Sequence, residues 1–216
     1  EAENMIKANP QLLNHKGSGK EFHNGREFKS ITPFQYALWA LDWYMWDMMM
    51  KHIDHSQARS QLEELESRGT EHGKQFDGFD RLINAYQVYV DKFDGWNVDQ
   101  CKHHWCKVVG GAQKGLPVHA LQEYWRTDRS MYPAPDFKDK RGKDHGDLVD
   151  NIARSDFAKS WAAARCTLSY HLIRIHHHAA TARVDSRGIV SLKDTRNTQY
   201  KELRETLSKA PGLRIR

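Results

Sequence analysis

The sequence predicts a mainly α-helical protein with one β-hairpin, and three observations carry that expectation. Two long stretches step their apolar residues by three and four, the period of an amphipathic helix. One is Phe79, Leu82, Ile83, Tyr86, Val90 and Phe93; the other is Phe157, Trp161, Ala164, Leu168, Leu172, Ile175 and Ala179. Between them and the N-terminus, Asn24-Gly25 forms the pair that suits a tight primed hairpin turn, where positive φ is needed twice. The composition is that of a folded chain: 216 residues, 39% apolar and 28% charged, enough for one sizeable domain or two small ones. Seven Trp, eight Tyr and eight Phe exclude disorder, because such a chain carries the large apolar groups that offset ordering entropy.

In order along the chain, a first helix ends near Ala8, since Pro10 disfavours helical geometry at Asn9. Hairpin arms come next, near Leu12–Phe22 and Arg26–Ile31. Thr32 caps the next helix, and Pro33 suits its first position because the missing N–H has no helical partner there. The run Phe34–Met50 breaks near Leu41-Asp42 into two short helices, the second over Trp43–Ile53. Ser56 caps a third, thinly amphipathic helix closed by Gly69. After the Phe79–Phe93 helix, Asn97 with Gln100 three residues on makes a capping box. The helix it opens presents Val98, Cys101, Trp105, Val108 and Ala112. Gly115-Leu116-Pro117 punctuates, and a shorter helix carries Val118, Leu121, Tyr124 and Trp125. The pattern stops between Arg126 and Gly146. It resumes with the Phe157–Ala179 helix, then a turn with a short extended piece at "DSRGIVSL", then a last helix marked by Tyr200, Leu203 and Leu207. The expected organisation is a module over residues 1–127, a loop over 128–146 and a helical block over 147–216.

The formal charge of +5 is scattered among acidic residues, which argues against nucleic acid as the partner. Three cysteines, Cys101, Cys106 and Cys166, make no disulfide framework for a chain this long and fit a reducing compartment. A chain that opens on Glu1 inside a helix is expected to be part of a longer protein. The Trp- and Met-rich run at Phe34–Met50 is no membrane span. It contains Asp42 and Asp47, and a span needs about 20 largely uncharged apolar residues.

Thr32, Pro33, Phe34 and Ala37 fall in the register of an ankyrin repeat, in which Thr-Pro starts the first helix and an Ala follows four residues after the Pro. Met45, Trp46, Met48 and Met49 take the places of the second helix's aliphatics. Gln35 stands where the repeat usually has His, and Leu41 where it usually has Gly. The unit therefore resembles a single degenerate ankyrin repeat, which must pack on the helices after it because a lone repeat cannot stack on itself. More broadly, "NPQLLNHKGSGKEFHNGREFKSITPFQYALWALDWYMWDMM" and "LINAYQVYVDKFDGWNVDQCKHHWCKVVGGAQKGLPVHALQEYWRTDRSMYPAPDF" resemble the ankyrin-like modules of secreted effectors from intracellular bacteria of the Legionella and Coxiella type. The resemblance covers about residues 5–137. It implies a protein delivered by a type IV secretion system into the host cytosol, where a helical module contacts host proteins. It brings no catalytic motif.

Read as chemistry, "CKHHWC" is the sharpest segment, since Cys101, His104 and Cys106 are zinc-ligand types. On a continuous helix these residues spread around the axis at about 100° per residue and do not converge, so no metal and no cofactor is assigned. The triplet His176–His178, with Arg165, Arg174 and Arg183 near it, makes a basic surface suited to an acidic partner or a phosphate, and Arg174 and His178 are its candidate contacts. "VVGGAQKG" follows a helix rather than a strand and is not a phosphate loop. The functional expectation is a protein–protein interaction module, with His23 and Asn24 on the hairpin and Trp43 and Tyr44 near the inter-helix turn as its contact surface. The rival reading is a cryptic Cys/His-dependent hydrolase or zinc enzyme, with no catalytic residues identifiable.

Overall fold

The computed structural model describes residues 1–124 and 176–209, together with Pro135 and Phe137. Among the described residues the architecture is mainly α with one two-stranded antiparallel hairpin. The chain forms two compact units, one of Glu1–Glu21, Gly25–Phe76 and Asp194–Arg216, the other of Phe22–Asn24 and Asp77–Lys193.

The first unit opens with α1 (Ala2–Ala8), which ends before Pro10 as the proline requires. Residues Pro10–Asn14 form a 3₁₀ turn rather than the start of a strand, so the hairpin is shorter than its sequence suggests: β1 is Gly17–Lys20 and β2 is Glu27–Ile31. Its turn also differs. Asn24 does not adopt positive φ; Gly25 alone does, at 75°. The loop Phe22–Gly25 is closed by Glu21 N–H to the Arg26 carbonyl (2.7 Å) and Gly25 N–H to the Glu21 carbonyl (2.8 Å). This is a wider four-residue loop ending on a left-handed glycine, not the two-residue primed turn.

Thr32 caps α2 (Pro33–Trp39) in a reciprocal box: its hydroxyl accepts from Gln35 N–H at 3.0 Å, and Gln35 Oε1 accepts from Thr32 N–H at 3.3 Å. Gln35 then reaches α4 (His55–Arg68), donating to the Gln61 carbonyl and to Glu64. Gln61 in turn donates to the Leu13 carbonyl and the Asn14 side chain. A buried polar strip thus joins three elements with its donors and acceptors matched. The break between α2 and α3 (Trp43–Met50) comes at Leu41, whose φ is 60°, and Asp42 caps α3 through Met45 N–H. Left-handed geometry costs a leucine about 1–2 kcal/mol. Leu41 is 1% exposed, and burying such a side chain is worth about 1.5–3 kcal/mol, which offsets the strain. Asp54 rather than Ser56 caps α4, accepting from Ser56 N–H at 2.8 Å. Gly69 ends α4 at φ 71°, where an added Cβ would lie 3.3 Å from the Gly73 carbonyl oxygen. The core joins Phe28 and Ile31 of the hairpin with Phe34, Leu38, Trp39, Trp46, Met49, Leu62 and Leu65.

In the second unit, α5 (Gly78–Lys92) buries Phe79, Leu82 and Tyr86 of the expected face, but Ala85 and Tyr89 are buried with them while Ile83 and Val90 are only half-buried, so the buried stripe is rotated from the predicted one. Asn97 and Gln100 form the expected capping box at α6 (Val98–His103). The helix then widens into a π-turn over His104–Val109 before α7 (Gly110–Lys114) and α8 (Val118–Tyr124). The π-turn corrects the expected face. An i→i+5 turn inserts an extra residue and rotates the remainder of the helix, so Val109 is buried and Val108 exposed. Val98 is exposed too.

A 34-residue helix, α9 (His176–Lys209), closes the described chain. It runs unbroken through "DSRGIVSL", where the sequence suggests a turn and an extended piece. Gly188 and the β-branched Ile189 and Val190 weaken the local helical signal, but Ile189 and Leu192 are fully buried and their burial decides the conformation. No helix among the described residues is long and apolar enough to cross a membrane.

Candidate interaction surface

The base of the hairpin turn is held by a set of charged and aromatic contacts. Arg26 lies with its guanidinium 5.0 Å from the Trp39 ring centroid and 5.4 Å from that of Phe76. It forms an ion pair with the buried Glu21, whose other oxygen accepts the Tyr36 hydroxyl at 2.7 Å. The strand ends are therefore fixed to α2 by charge-assisted and cation–π contacts. Burial, then the Glu21 carboxylate beside it, pushes the Tyr36 phenol well above the ordinary tyrosine range.

The predicted contact residues divide. His23 is half-buried, its Nε2 donating to the Leu116 carbonyl at 2.6 Å, and the Asn24 amide lies 3.1 Å from the same ring nitrogen. Both therefore make contacts within the second unit. Phe22, the residue before them, projects into solvent at 76% exposure. The sequence holds a signal for it, an aromatic two residues ahead of the Asn24-Gly25 pair, but the expected hairpin arm runs through it.

Trp43 and Tyr44 are half-buried with ring centroids 5.3 Å apart, and both rings face the guanidinium of Arg196 in α9, at 5.9 Å and 4.9 Å. Arg196 is fully buried and donates to Gln199 at 2.7 Å. These aromatics therefore hold a buried cation within the first unit. Arg174 lies outside the described residues. His178 falls on α9, with its side chain outside them.

The Cys/His segment does not converge. Cys101 is buried, and burial pushes its thiol up, away from the thiolate that a nucleophile or a metal ligand needs. His104 donates from Nε2 to the Ala85 carbonyl at 2.9 Å and stacks on Tyr89, with Trp96 4.9 Å away. Cys106, half-buried further along the π-turn, is disulfide-bonded, which corrects the expectation of reduced cysteines and leaves it no thiolate for a metal. Among the described residues no group of three His, Cys, Asp or Glu could hold a metal ion.

Tyr200 of α9 packs edge-on against Trp46, with centroids 6.1 Å apart. Burial, then the Glu66 carboxylate, pushes its phenol up to about 12 from 10.0. A raised folded pKa favours the neutral form, so the associated stability is complete below pH 10 and lost as pH rises from 10 towards 12. Urea denaturation midpoints across that window are expected to fall more steeply for the wild type than for Tyr200→Phe. The difference should be about 1–2 kcal/mol once the partial exposure of Tyr200 is discounted.

Comparison with known proteins places residues 81–207 under the family model described as the CBUA0006 C-terminal domain. The uncharacterized protein CBUA0006 of Coxiella burnetii (strain RSA 493 / Nine Mile phase I) is 31% identical over 186 residues, covering 74% of this chain and 54% of that protein. The chain thus spans about half the length of this relative. No solved structure matches.

Proposed function

This chain belongs to the CBUA0006 C-terminal domain family, and from that premise we propose that it is a protein–protein interaction module of a bacterial effector acting inside a host cell. The observation that carries the reading is Phe22, a large aromatic held out at 76% exposure on a turn whose base is pinned by Arg26, Glu21 and Tyr36. A rigid aromatic anchor loses little conformational entropy on binding, which is why such residues dominate interface energies. Two further features support it. The helix pair α2 and α3 accords with the ankyrin-like reading, since Leu41, in the place of the usual inter-helix glycine, adopts the left-handed backbone that a glycine would. The Coxiella burnetii relative accords with delivery by a type IV system into the host cytosol.

The test is affinity capture from host-cell lysate with the wild type and Phe22→Ala, quantified by mass spectrometry. At least one host protein is expected to lose about 2 kcal/mol of affinity for the variant, roughly a 30-fold fall in binding. Equal recovery of every host protein by the two forms would overturn the proposal.

A further inference from the structure

The two edges of the hairpin are finished differently. On the outer side of β2, Glu71 Oε1 accepts from Lys29 N–H at 3.0 Å, and His72 Nε2 donates to the Glu27 carbonyl at 2.7 Å. These two side chains occupy the main-chain groups that a further strand would use, which is how natural sheets protect an edge. The same contacts fix the ladder's phase. Glu27 and Lys29 point their main-chain groups away from β1, so Lys20, which pairs with Glu27, and Ser18, two residues earlier, point theirs away from β2. No hydrogen bond reaches the outward main-chain groups of Ser18 or Lys20 from any described residue.

The glycines of β1 have no internal explanation. Neither Gly17 nor Gly19 is at positive φ, and a Cβ on either would meet nothing within 4 Å. Between the pairs Gly17↔Ile31 and Gly19↔Phe28, the extra residue lies on β2, where Lys29 and Ser30 oppose Ser18, so the bulge does not require them either. Glycine weakens a strand and commonly marks a place where another backbone approaches closely. Gly17 and Gly19 share a sheet face with their buried partners Ile31 and Phe28. An aromatic or β-branched side chain on an added strand would cover them there, as aromatic neighbours do for edge glycines.

Charge selects the occupant. Lys16, Ser18 and Lys20 alternate onto the opposite face, and residues 15–31 carry a net +2, with Lys16, Lys20, Arg26 and Lys29 against Glu21 and Glu27. A second copy pairing antiparallel about Ser18 would set Lys16 opposite Lys20, a like-charge pair that opposes self-association. Lys16 and Lys20 bond Glu64 and Glu27 in exposed pairs of the weak kind that exchange readily for incoming carboxylates. We propose that the outer edge of β1 receives an extended acidic segment of a partner protein as a third strand. Alternate Glu or Asp residues face Lys16 and Lys20, and aromatic or β-branched residues cover Gly17 and Gly19. This rests on the interaction function proposed for the chain and deepens it by naming the chemistry of the partner.

The test uses fluorescein-labelled peptides in which Glu alternates with Val and Phe, counterparts with Lys in place of Glu, and Glu peptides with alternate amides N-methylated. Binding is read by anisotropy, and amide exchange of the protein by NMR. The Glu peptides are expected to bind about tenfold or more tightly than the Lys peptides, to slow exchange at Ser18 and Lys20 by a similar factor, and to lose binding on N-methylation. Ser18→Pro removes one outward N–H at an edge where proline is tolerated, and should weaken binding about tenfold with the circular dichroism spectrum unchanged. Equal affinity of Glu and Lys peptides, no protection at Ser18 and Lys20, or protection there that rises with protein concentration alone would each overturn the inference. The N-methylated arm keeps it testable if Ser18→Pro does not fold. Host-protein capture that depends on Phe22 alongside unprotected β1 amides would remove this inference and leave the interaction reading standing; protected β1 amides with capture indifferent to Phe22 would keep this inference and remove Phe22 as the anchor of the interaction.

Discussion

Trp39→Ala is expected to destabilise the first unit by about 3–5 kcal/mol and to lower its thermal midpoint by about 12 °C or more. Trp39 is 1% exposed at the end of α2. It meets Phe28 edge-on with centroids 4.9 Å apart and Phe76 at 5.7 Å, and the Arg26 guanidinium lies 5.0 Å from its ring. Its Nε1–H donates to the His72 carbonyl at 3.3 Å, and its own carbonyl accepts Phe76 N–H at 2.8 Å. Truncation removes the ring that joins α2, the hairpin and the segment after α4, and opens a cavity that rigid helices cannot close. Trp39→Phe keeps most of the apolar contact and loses the N–H donor, so it should cost roughly half as much. Thermal melts tracked by far-ultraviolet circular dichroism decide this. Equal midpoints for the alanine variant and the wild type would contradict this packing.

Glu21→Ala is the second large effect, expected at about 3 kcal/mol. The Glu21 side chain is 3% exposed, pairs with Arg26, and accepts the Tyr36 hydroxyl. Removing it takes the carboxylate from a guanidinium that lies over the Trp39 and Phe76 rings, and it strips the Tyr36 phenol of that acceptor. Breaking one member of a buried pair is costly because the remaining charge keeps its desolvation penalty. Glu21→Leu combined with Arg26→Met should therefore be less damaging than Glu21→Ala alone. A double-mutant cycle by urea denaturation reads that coupling directly, and additive effects would show the pair to be inert.

Much of the local structure can be read in the chain. The boxes at Thr32–Gln35 and Asn97–Gln100 form as written, because a cap is satisfied within three residues and needs nothing from the rest of the fold. The period of α5 places Phe79, Leu82 and Tyr86 on its buried face, but Ala85 and Tyr89 join them and Ile83 and Val90 do not. Features set by distant contacts are not legible. Val108 carries the sequence period, yet the π-turn exposes it and buries Val109, and nothing within six residues signals a π-turn. Along α9, Arg196 and Gln199 occupy buried positions of the helical face, so the apolar pattern looks broken where the helix is continuous. The proposed interaction surface is legible in outline only. The hairpin can be read from its turn, but His23 turns to the Leu116 carbonyl and Trp43 with Tyr44 turns to Arg196, while the residue that projects is Phe22.

By itself the sequence determined the α-rich class, the capped starts of α2 and α6, the existence of the hairpin and the exclusion of a helical membrane span at Phe34–Met50, since caps, periodicity and charge act within a few residues. Only the tertiary structure decided which aromatics are spent on the core, that Leu41 takes a glycine's backbone, and that β2 has a capped edge while β1 keeps an open one. Those outcomes depend on residues about 40 or more positions apart, Glu27 with His72, Lys29 with Glu71 and Arg196 with Tyr44, whose pairing free energy exists only once the chain has closed on itself.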